Sequence, residues 1–436
     1  MKKIFFFYCF AIFLLSSCNQ DKHLWRIQQD GLYGFVDSLG NVVIEPQYRY
    51  VGNFIDGYAC VVTDMRFIER ESFIKRDTLL EVKYGYINRF NEIVIDTTNI
   101  IKLRLEPGME TFPEKFKEKK FGFRTQILTD LNLSNDRFLF QDTVSSYYGY
   151  KDSEGNIAIQ PKFRTAHAFQ FGRAIVVDTI KSDEYGEKDY IKILNSASAI
   201  DKDGNVKVKP EYAYITPFGR NGETWASYIS KSDDSFIREW VLIDSNGKNV
   251  LPPNSMMEFI YNSPDNIYVC QMDFLDCKLY TFMDRNGNFL SDYNHDGELN
   301  ISLDGKSQSE IFRDVTFFSD GYAGIKGRYD GKPVWYFANK KLDSNFIPYD
   351  SVLCFSDKIA AVKEFIKDDT FSSMRTGKWG YIDIHANLII PYQFDECGSF
   401  WGALAYFRNT GSTYDMEGYI NKKGNIVWQT IVSNNK

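Results

Sequence analysis

The sequence has few of the residues that mark catalytic or metal centres. Four histidines occur in 436 residues, and His23, His167, His295 and His385 are scattered without a metal-ligand spacing. No Gly-rich phosphate loop, nucleophile elbow or His-Glu zinc helix is present, which leaves nucleotide, acyl-transfer and zinc chemistry without a motif to carry them. Positive charge is not in excess: 51 Lys and Arg face 58 Asp and Glu, so the electrostatic footprint of a nucleic-acid binder is missing. The apolar run from Ile4 to Leu15 falls short of the roughly 20 residues a spanning helix needs. Acidic neighbours such as Asp233-Asp234 and Asp368-Asp369 fall in polar loops, where a carboxylate stays solvated and ordinary.

What is present begins with an export signal: basic Lys2 and Lys3, the apolar run, then Ser16 and Ser17 before Cys18. Leu15-Ser16-Ser17-Cys18 resembles the lipobox of bacterial lipoproteins, which implies cleavage before Cys18 and a diacylglycerol on its sulfur. The alternative is an ordinary signal peptide with an incidental cysteine. The expected organisation is a signal peptide at 1–17, a lipidated tether at 18–23, a repeat array at 24–430 and a tail at 431–436. Membrane association is then expected from the lipid, at the cell envelope and in the outer membrane of a Gram-negative bacterium. Five cysteines lie beyond Cys18, namely Cys60, Cys270, Cys277, Cys354 and Cys397, so they cannot all pair. A Cys270–Cys277 bridge stays open, but most sit in apolar strand-like runs, and buried free thiols are expected.

Self-similarity organises the rest of the chain. An aromatic and Gly open a short alternating strand, an Asp-x-x-Gly-Asn turn follows, then a β-branched strand, Pro and an aromatic. Tyr33-Gly34-Phe35-Val36-Asp37 leads through Gly40-Asn41 to Val42-Val43-Ile44-Glu45-Pro46, and Tyr148-Gly149-Tyr150-Lys151-Asp152 leads through Gly155-Asn156 to Ile157-Ala158-Ile159-Gln160-Pro161. Further copies begin at Trp379 and Gly418, and weaker ones near Tyr84, Ala199, Trp240, Tyr280 and Trp335, nine hairpins in all. Asp at the first turn position bonds the backbone two residues on, and Gly three residues later supplies the positive φ of a type I turn with a G1 bulge. Asn91 substitutes for that Gly, whereas Ala386 and Leu342 predict looser or differently shaped turns. Pro after the second strand is expected to stop it. A second cadence of aromatic, Gly and Ala opens another strand in each unit, as in Phe54, Gly57 and Ala59, and again in Phe169, Phe317 and Phe400 with their glycines and alanines. Each unit thus supplies about three strands. The longest departure from the cadence is an insertion around 97–146, whose charged stretch Glu114 to Lys120 suggests a short helix with a solvated face.

Trp379-Gly380-Tyr381-Ile382-Asp383, preceded by Gly377-Lys378, resembles the Lys-Trp-Gly motif of the bacterial WG (KWG) repeat family. The resemblance covers most of Leu24 to Thr430. It departs from the family pattern in that one hairpin alone has the full Trp-Gly, and Trp335-Tyr336 lacks the Gly. It implies architecture more than activity, since members lack a generally established one. The expected fold is all-β, a tandem array of about nine three-stranded antiparallel hairpin units that bury their faces only by stacking, with a propeller-like ring favoured over an open superhelix. In such a ring Leu24-Trp25-Arg26-Ile27 and the last hairpin, ending near Trp428, would complete one unit from both ends.

The expected function is a lipid-anchored envelope scaffold that binds a protein or glycan without catalysis. A glycan-acting hydrolase with carboxylates on one face of the array is the alternative. Trp225, Tyr293 and Trp401 fall outside the strand cadence and are the candidate surface aromatics. Asp292, Asn294 and Asp296 resemble the first half of an EF-hand loop, but Leu303 stands where the bidentate Glu belongs, so no metal or cofactor is expected.

Overall fold

The computed structural model describes residues 23–433 apart from residues 56, 72–75, 105–136, 179–193, 233–234, 254–256, 258, 262–264, 275–276, 291–298, 304–305, 311–313, 330–331, 345–346 and 367–376. Its named elements are strands throughout, grouped into small sheets that are almost wholly antiparallel. Unit 1 is β1 (Trp25–Gln29), β2 (Leu32–Val36) and β3 (Val42–Tyr48), and unit 2 is β4 (Tyr50–Val51), β5 (Tyr58–Glu71), β6 (Arg76–Asn88) and β7 (Ile93–Arg104). Units 3 and 4 share one sheet: β8 (Phe138–Gln141), β9 (Tyr148–Lys151), β10 (Ile157–Ala166), β11 (Ala174–Asp178), β12 (Ala197–Ile200) and β13 (Val206–Tyr212). Unit 5 is β14 (Tyr214–Ile215), β15 (Glu223–Ser232) and β16 (Ser235–Asp244), and unit 6 is β17 (Phe259–Tyr261), β18 (Tyr268–Phe274) and β19 (Cys277–Met283). Before unit 7 come β20 (Leu299–Leu303) and β21 (Lys306–Glu310); unit 7 is β22 (Tyr322–Tyr329) and β23 (Lys332–Asn339), followed by β24 (Asp343–Ser344), which pairs in parallel with β20. Unit 8 is β25 (Ser351–Val352), β26 (Ile359–Lys363), β27 (Trp379–Asp383) and β28 (Leu388–Phe394), and unit 9 is β29 (Glu396–Cys397), β30 (Leu404–Asn409), β31 (Tyr414–Asn421) and β32 (Ile426–Ser433). Where the unit is fullest, a short strand precedes the three expected ones.

The turn of each hairpin forms as its chemistry dictates. A side-chain oxygen of Asp37, Asn88, Asp152, Asp201, Asp244, Asp284, Asn339, Asp383 or Asn421 accepts the N–H two residues on, at 2.8–3.0 Å. The residue at the fourth position has positive φ in all nine. Two expectations fail at these hairpins. Leu342 and Ala386, with φ of 60° and 66°, take the same left-handed conformation as the glycines, and the Ala386 turn closes with the same bonds as its relatives. The Asx bonds and the paired strands outweigh the cost of a Cβ there. Proline does not end the second strand either: Pro46, Pro161, Pro210 and Pro391 lie inside β3, β10, β13 and β28, at the register shift of each hairpin. A bulge leaves a residue out of the ladder, so the missing N–H costs nothing there. The same bulge explains the Gly of the repeat motif. A Cβ on Gly149 would stand 2.6 Å from the Ile159 carbonyl oxygen and 2.8 Å from the Pro161 nitrogen.

Units pack by a repeated aromatic contact. In five of the nine units the ring two residues before the turn meets the aromatic of the second cadence in the following unit: Phe35 on Phe54 at 4.7 Å, Tyr150 on Phe169 at 4.9 Å, Phe282 on Phe318 at 4.8 Å, Phe337 on Phe355 at 4.6 Å and Tyr381 on Phe400 at 5.0 Å. Such tilted and edge-on pairs add about 0.5–1.5 kcal/mol each to area burial. In unit 7 the partner is Phe318, wholly buried, and not Phe317, which is exposed.

The core is a succession of inter-sheet clusters. Unit 1 packs on unit 2, unit 2 on units 3 and 4, and so on to units 8 and 9. The final cluster joins Trp25, Ile27 and Val36 of unit 1 to Leu404, Trp401, Tyr419 and Val427 of unit 9, so the succession returns to its start as a propeller-like ring requires. The turn glycines show the same relation. Gly204, Gly247 and Gly424 face Ile159, Val208 and Ile390 of the unit before, and Gly40 of unit 1 faces Val427 of unit 9. No unit is assembled from both chain ends, however: β1 pairs with its own hairpin, and unit 9 has four strands of its own.

The insertion narrows to 105–136, because β7 runs on to Arg104 and β8 starts at Phe138; the charged stretch 114–120 lies outside the described residues. Cys60 and Cys270 are buried free thiols, and Cys354 and Cys397 are free and half-buried. Cys270 is opposite Thr281, four residues along the ladder from Cys277.

Candidate functional site

Two ends of the array differ in kind. All nine Asx turns lie at one end, together with the tight turns 55–58, 170–173, 319–322, 356–359 and 401–404 that open the second strands. The connections between second and third strands lie at the opposite end, beyond the pairs Glu71↔Arg76, Val177↔Ala197, Ser232↔Ser235, Lys363↔Trp379 and Asn409↔Met416. Their lengths vary from residues 233–234 alone to residues 179–196.

The seam between unit 9 and unit 1 reaches the turn-bearing end. The Trp25 indole N–H donates to the Trp401 carbonyl at 3.0 Å, and the Tyr419 hydroxyl donates to the Arg26 carbonyl at 2.7 Å. His23 packs against Trp401 with ring centroids 5.2 Å apart, and Trp25 meets the same ring at 6.4 Å. Burial pushes the Tyr419 hydroxyl up to about 12, with Arg26 opposing, so the hydroxyl stays a neutral donor. Beside the seam a shallow cleft of about 580 Å³ is lined by Asp357, Gly402, Ala403, Asn421, Lys422, Lys423 and Asn425, and the Lys422 ammonium pairs with Asp357 at 3.1 Å across it.

The buried carboxylates of the described residues are neutralised. Glu81 accepts from Arg66, Glu223 from Arg285 and Asp415 from Arg408. Glu223 also accepts from Asn221 at 2.9 Å. Burial, and then the Glu223 carboxylate, pushes the neighbouring Tyr268 hydroxyl up to about 12. Each acid is tied to a guanidinium, which suits structure better than proton transfer. Among the described residues no group of three or more His, Cys, Asp or Glu could hold a metal ion.

The sequence-predicted site residues part company here. Trp225 is 1 % exposed, stacked edge-on against Tyr268 at 5.2 Å, and so is core and not surface. The position is the third of β15, where unit 6 covers it. Trp401 is half-buried and belongs to the seam. Cys18, Asp292, Tyr293, Asn294 and Asp296 lie outside the described residues. What the sequence reading missed is the row of turn tips. Leu39 and Phe90, the third residues of their turns, are 76 % and 75 % exposed; an apolar side chain at a position that must face water was the available signal.

No curated protein matches the chain. Among solved structures, the chain is similar to TolB from Acinetobacter baumannii, at 12 % identity over 86 % of this chain and 80 % of that one, with a TM-score of 0.26. It is also similar to the β-propeller domain of the Trilobed protease from Pyrococcus furiosus, at 7 % identity over 79 % and 96 %, with a TM-score of 0.29. The acylaminoacyl peptidase of Pyrococcus horikoshii matches at 10 % over 85 % and 57 %, with a TM-score of 0.32. Likenesses at these scores carry nothing about activity. The model of the WG containing repeat matches residues 33–64, 148–178, 199–227 and 379–411, stretches that each open on the first strand of a hairpin described above, so the chain carries this repeat at those four places.

Proposed function

We propose that the protein is a lipid-tethered envelope scaffold that holds a protein or glycan partner without acting on it chemically. One observation carries the reading: a stacked core presents its connections between second and third strands, which differ in length from unit to unit, at a single end. Loops grouped on a rigid frame can diverge without disturbing the packing beneath, which is how repeat folds separate binding from stability. The pairing of Glu81, Glu223 and Asp415 with arginines supports binding over hydrolysis.

The test is affinity capture from an envelope extract, with residues 19–436 as bait, beside a variant in which residues 179–193 are replaced by a short Gly-Ser linker. A partner held by the loop-bearing end is retained by the first bait and lost from the second. Release of a cleaved sugar or peptide product during the incubation would overturn the non-catalytic reading. The anchor has its own test: Cys18→Ala should abolish labelling by a radioactive fatty acid and release the chain from membranes, and persistent labelling would remove the lipid.

A further inference from the structure

The chain enters the array at the turn-bearing end, because Leu24 precedes β1 beside the Asp37 turn and His23 lies against Trp401 and Gly402. Cys18 and His23 are five residue-to-residue steps apart, and an extended chain spans at most about 3.3–3.6 Å per residue. A lipid on Cys18 would therefore hold this end within roughly 18 Å of the bilayer surface. We infer that the turn-bearing end docks on the lipid surface through the sector of units 7 to 2 that flanks the tether, leaving the loop-bearing end to face away. This rests on the anchor reading.

The middle residues of the turns, compared position by position, set this sector apart. Around the tether they are Lys340 and Lys341 in unit 7, Ile384 and His385 in unit 8, Lys422 and Lys423 in unit 9, Ser38 and Leu39 in unit 1, and Arg89 and Phe90 in unit 2. The equivalent residues of units 3 to 6 are Ser153 and Glu154, Lys202 and Asp203, Ser245 and Asn246, Arg285 and Asn286. Among these middle residues, five of the seven cations and both exposed apolar tips lie on the tether side, and the two acids, Glu154 and Asp203, lie on the other. Units 9 and 1 are neighbours through the seam, so the five turns form one continuous patch. Asp357, exposed between them, is bonded to Lys422 and does not reverse the sign. Lysines beside apolar tips suit an anionic leaflet: the ammonium groups meet headgroups while Leu39 and Phe90 enter the acyl boundary. The chain's negative net charge opposes attraction at long range, but screening confines that repulsion to about 10 Å, so the local patch governs once the tether holds it close.

The test uses the lipidated full chain on vesicles of phosphatidylethanolamine and phosphatidylglycerol whose acyl chains are brominated. An environment-sensitive fluorophore is placed by Leu39→Cys, by Phe90→Cys, or by Val144→Cys at the opposite end, where Val144 is 92 % exposed; labelled wild type gives the background from native thiols. Emission from positions 39 and 90 should fall and that from 144 should persist. Replacing Lys340, Lys341, Lys422 and Lys423 together by Glu, with an unchanged circular dichroism spectrum, should restore emission at 39. Quenching at 144 equal to that at 39, or none at either end, overturns the docking while flotation with the vesicles still upholds the anchor. Failure of the wild type to float removes the anchor and the docking with it.

Discussion

A carboxylate that caps a turn is worth most where it accepts several bonds at once. Asp201 accepts from the N–H groups of Asp203 and Asn205 and from the Asn205 side chain, and Lys207 lies 3.1 Å away. Partial burial alone would raise its pKa, but these bonds outweigh it and hold the group at about 2, against an ordinary 3.8. Asp37, Asp284 and Asp383 are lowered for the same reason. Between those values the unfolded chain binds protons that the folded one does not. The contribution is therefore full above about pH 4 and is lost as the pH falls towards 2. Asp201→Asn should flatten that part of the acid-unfolding curve, measured by near-ultraviolet circular dichroism, and an unchanged slope would contradict the assignment. The motif glycines are constrained by space and not by φ. Gly149→Ala should cost about 1–3 kcal/mol in a urea titration, since the new Cβ meets backbone that the bulge holds in place.

The hairpin is the element the chain repeats, and its turn tolerates substitution at a measurable cost. Ala386 takes φ of 66° where its relatives have Gly, a strain of roughly 1–2 kcal/mol for an L residue. Glycine there gives back part of that through the freedom of the unfolded chain, so Ala386→Gly should raise stability by about 0.5–1 kcal/mol in a denaturant titration. The same change at Leu342 should not, because that side chain is buried in the core of unit 7 and its loss leaves a cavity. Turns, strand order and the two aromatic cadences were legible in the sequence because they are local: Asx capping, positive φ and period-two burial act within a few residues. The role of proline was not, since Pro46 and Pro391 read as strand ends until the register across the hairpin shows a bulge. Phe317 and Phe318 were indistinguishable for a similar reason, as one residue of shift decides which face of the strand is covered.

At the scale of the whole molecule, closure of the succession rests on side-chain packing between the first and last units, with no strand exchanged. Trp25 is 2 % exposed in that seam, and Trp25→Ala should cost about 3–5 kcal/mol and lower the global unfolding midpoint. Amide exchange gives a sharper test: a closed array should protect β1–β3 and β30–β32 as well as the middle units, whereas an open one frays from its ends. Composition and repeat alone determined that this chain is all-β, modular and built on Asp-capped hairpins, since alternation and turn chemistry need only near neighbours. Which tryptophans are core, which carboxylates are neutralised, and at which end His23 and Leu24 enter the array were decided by the tertiary structure. Each depends on residues far apart in the chain meeting across a sheet interface. The Trp25 indole and the Trp401 carbonyl, 376 residues apart, meet only when nine units have been stacked.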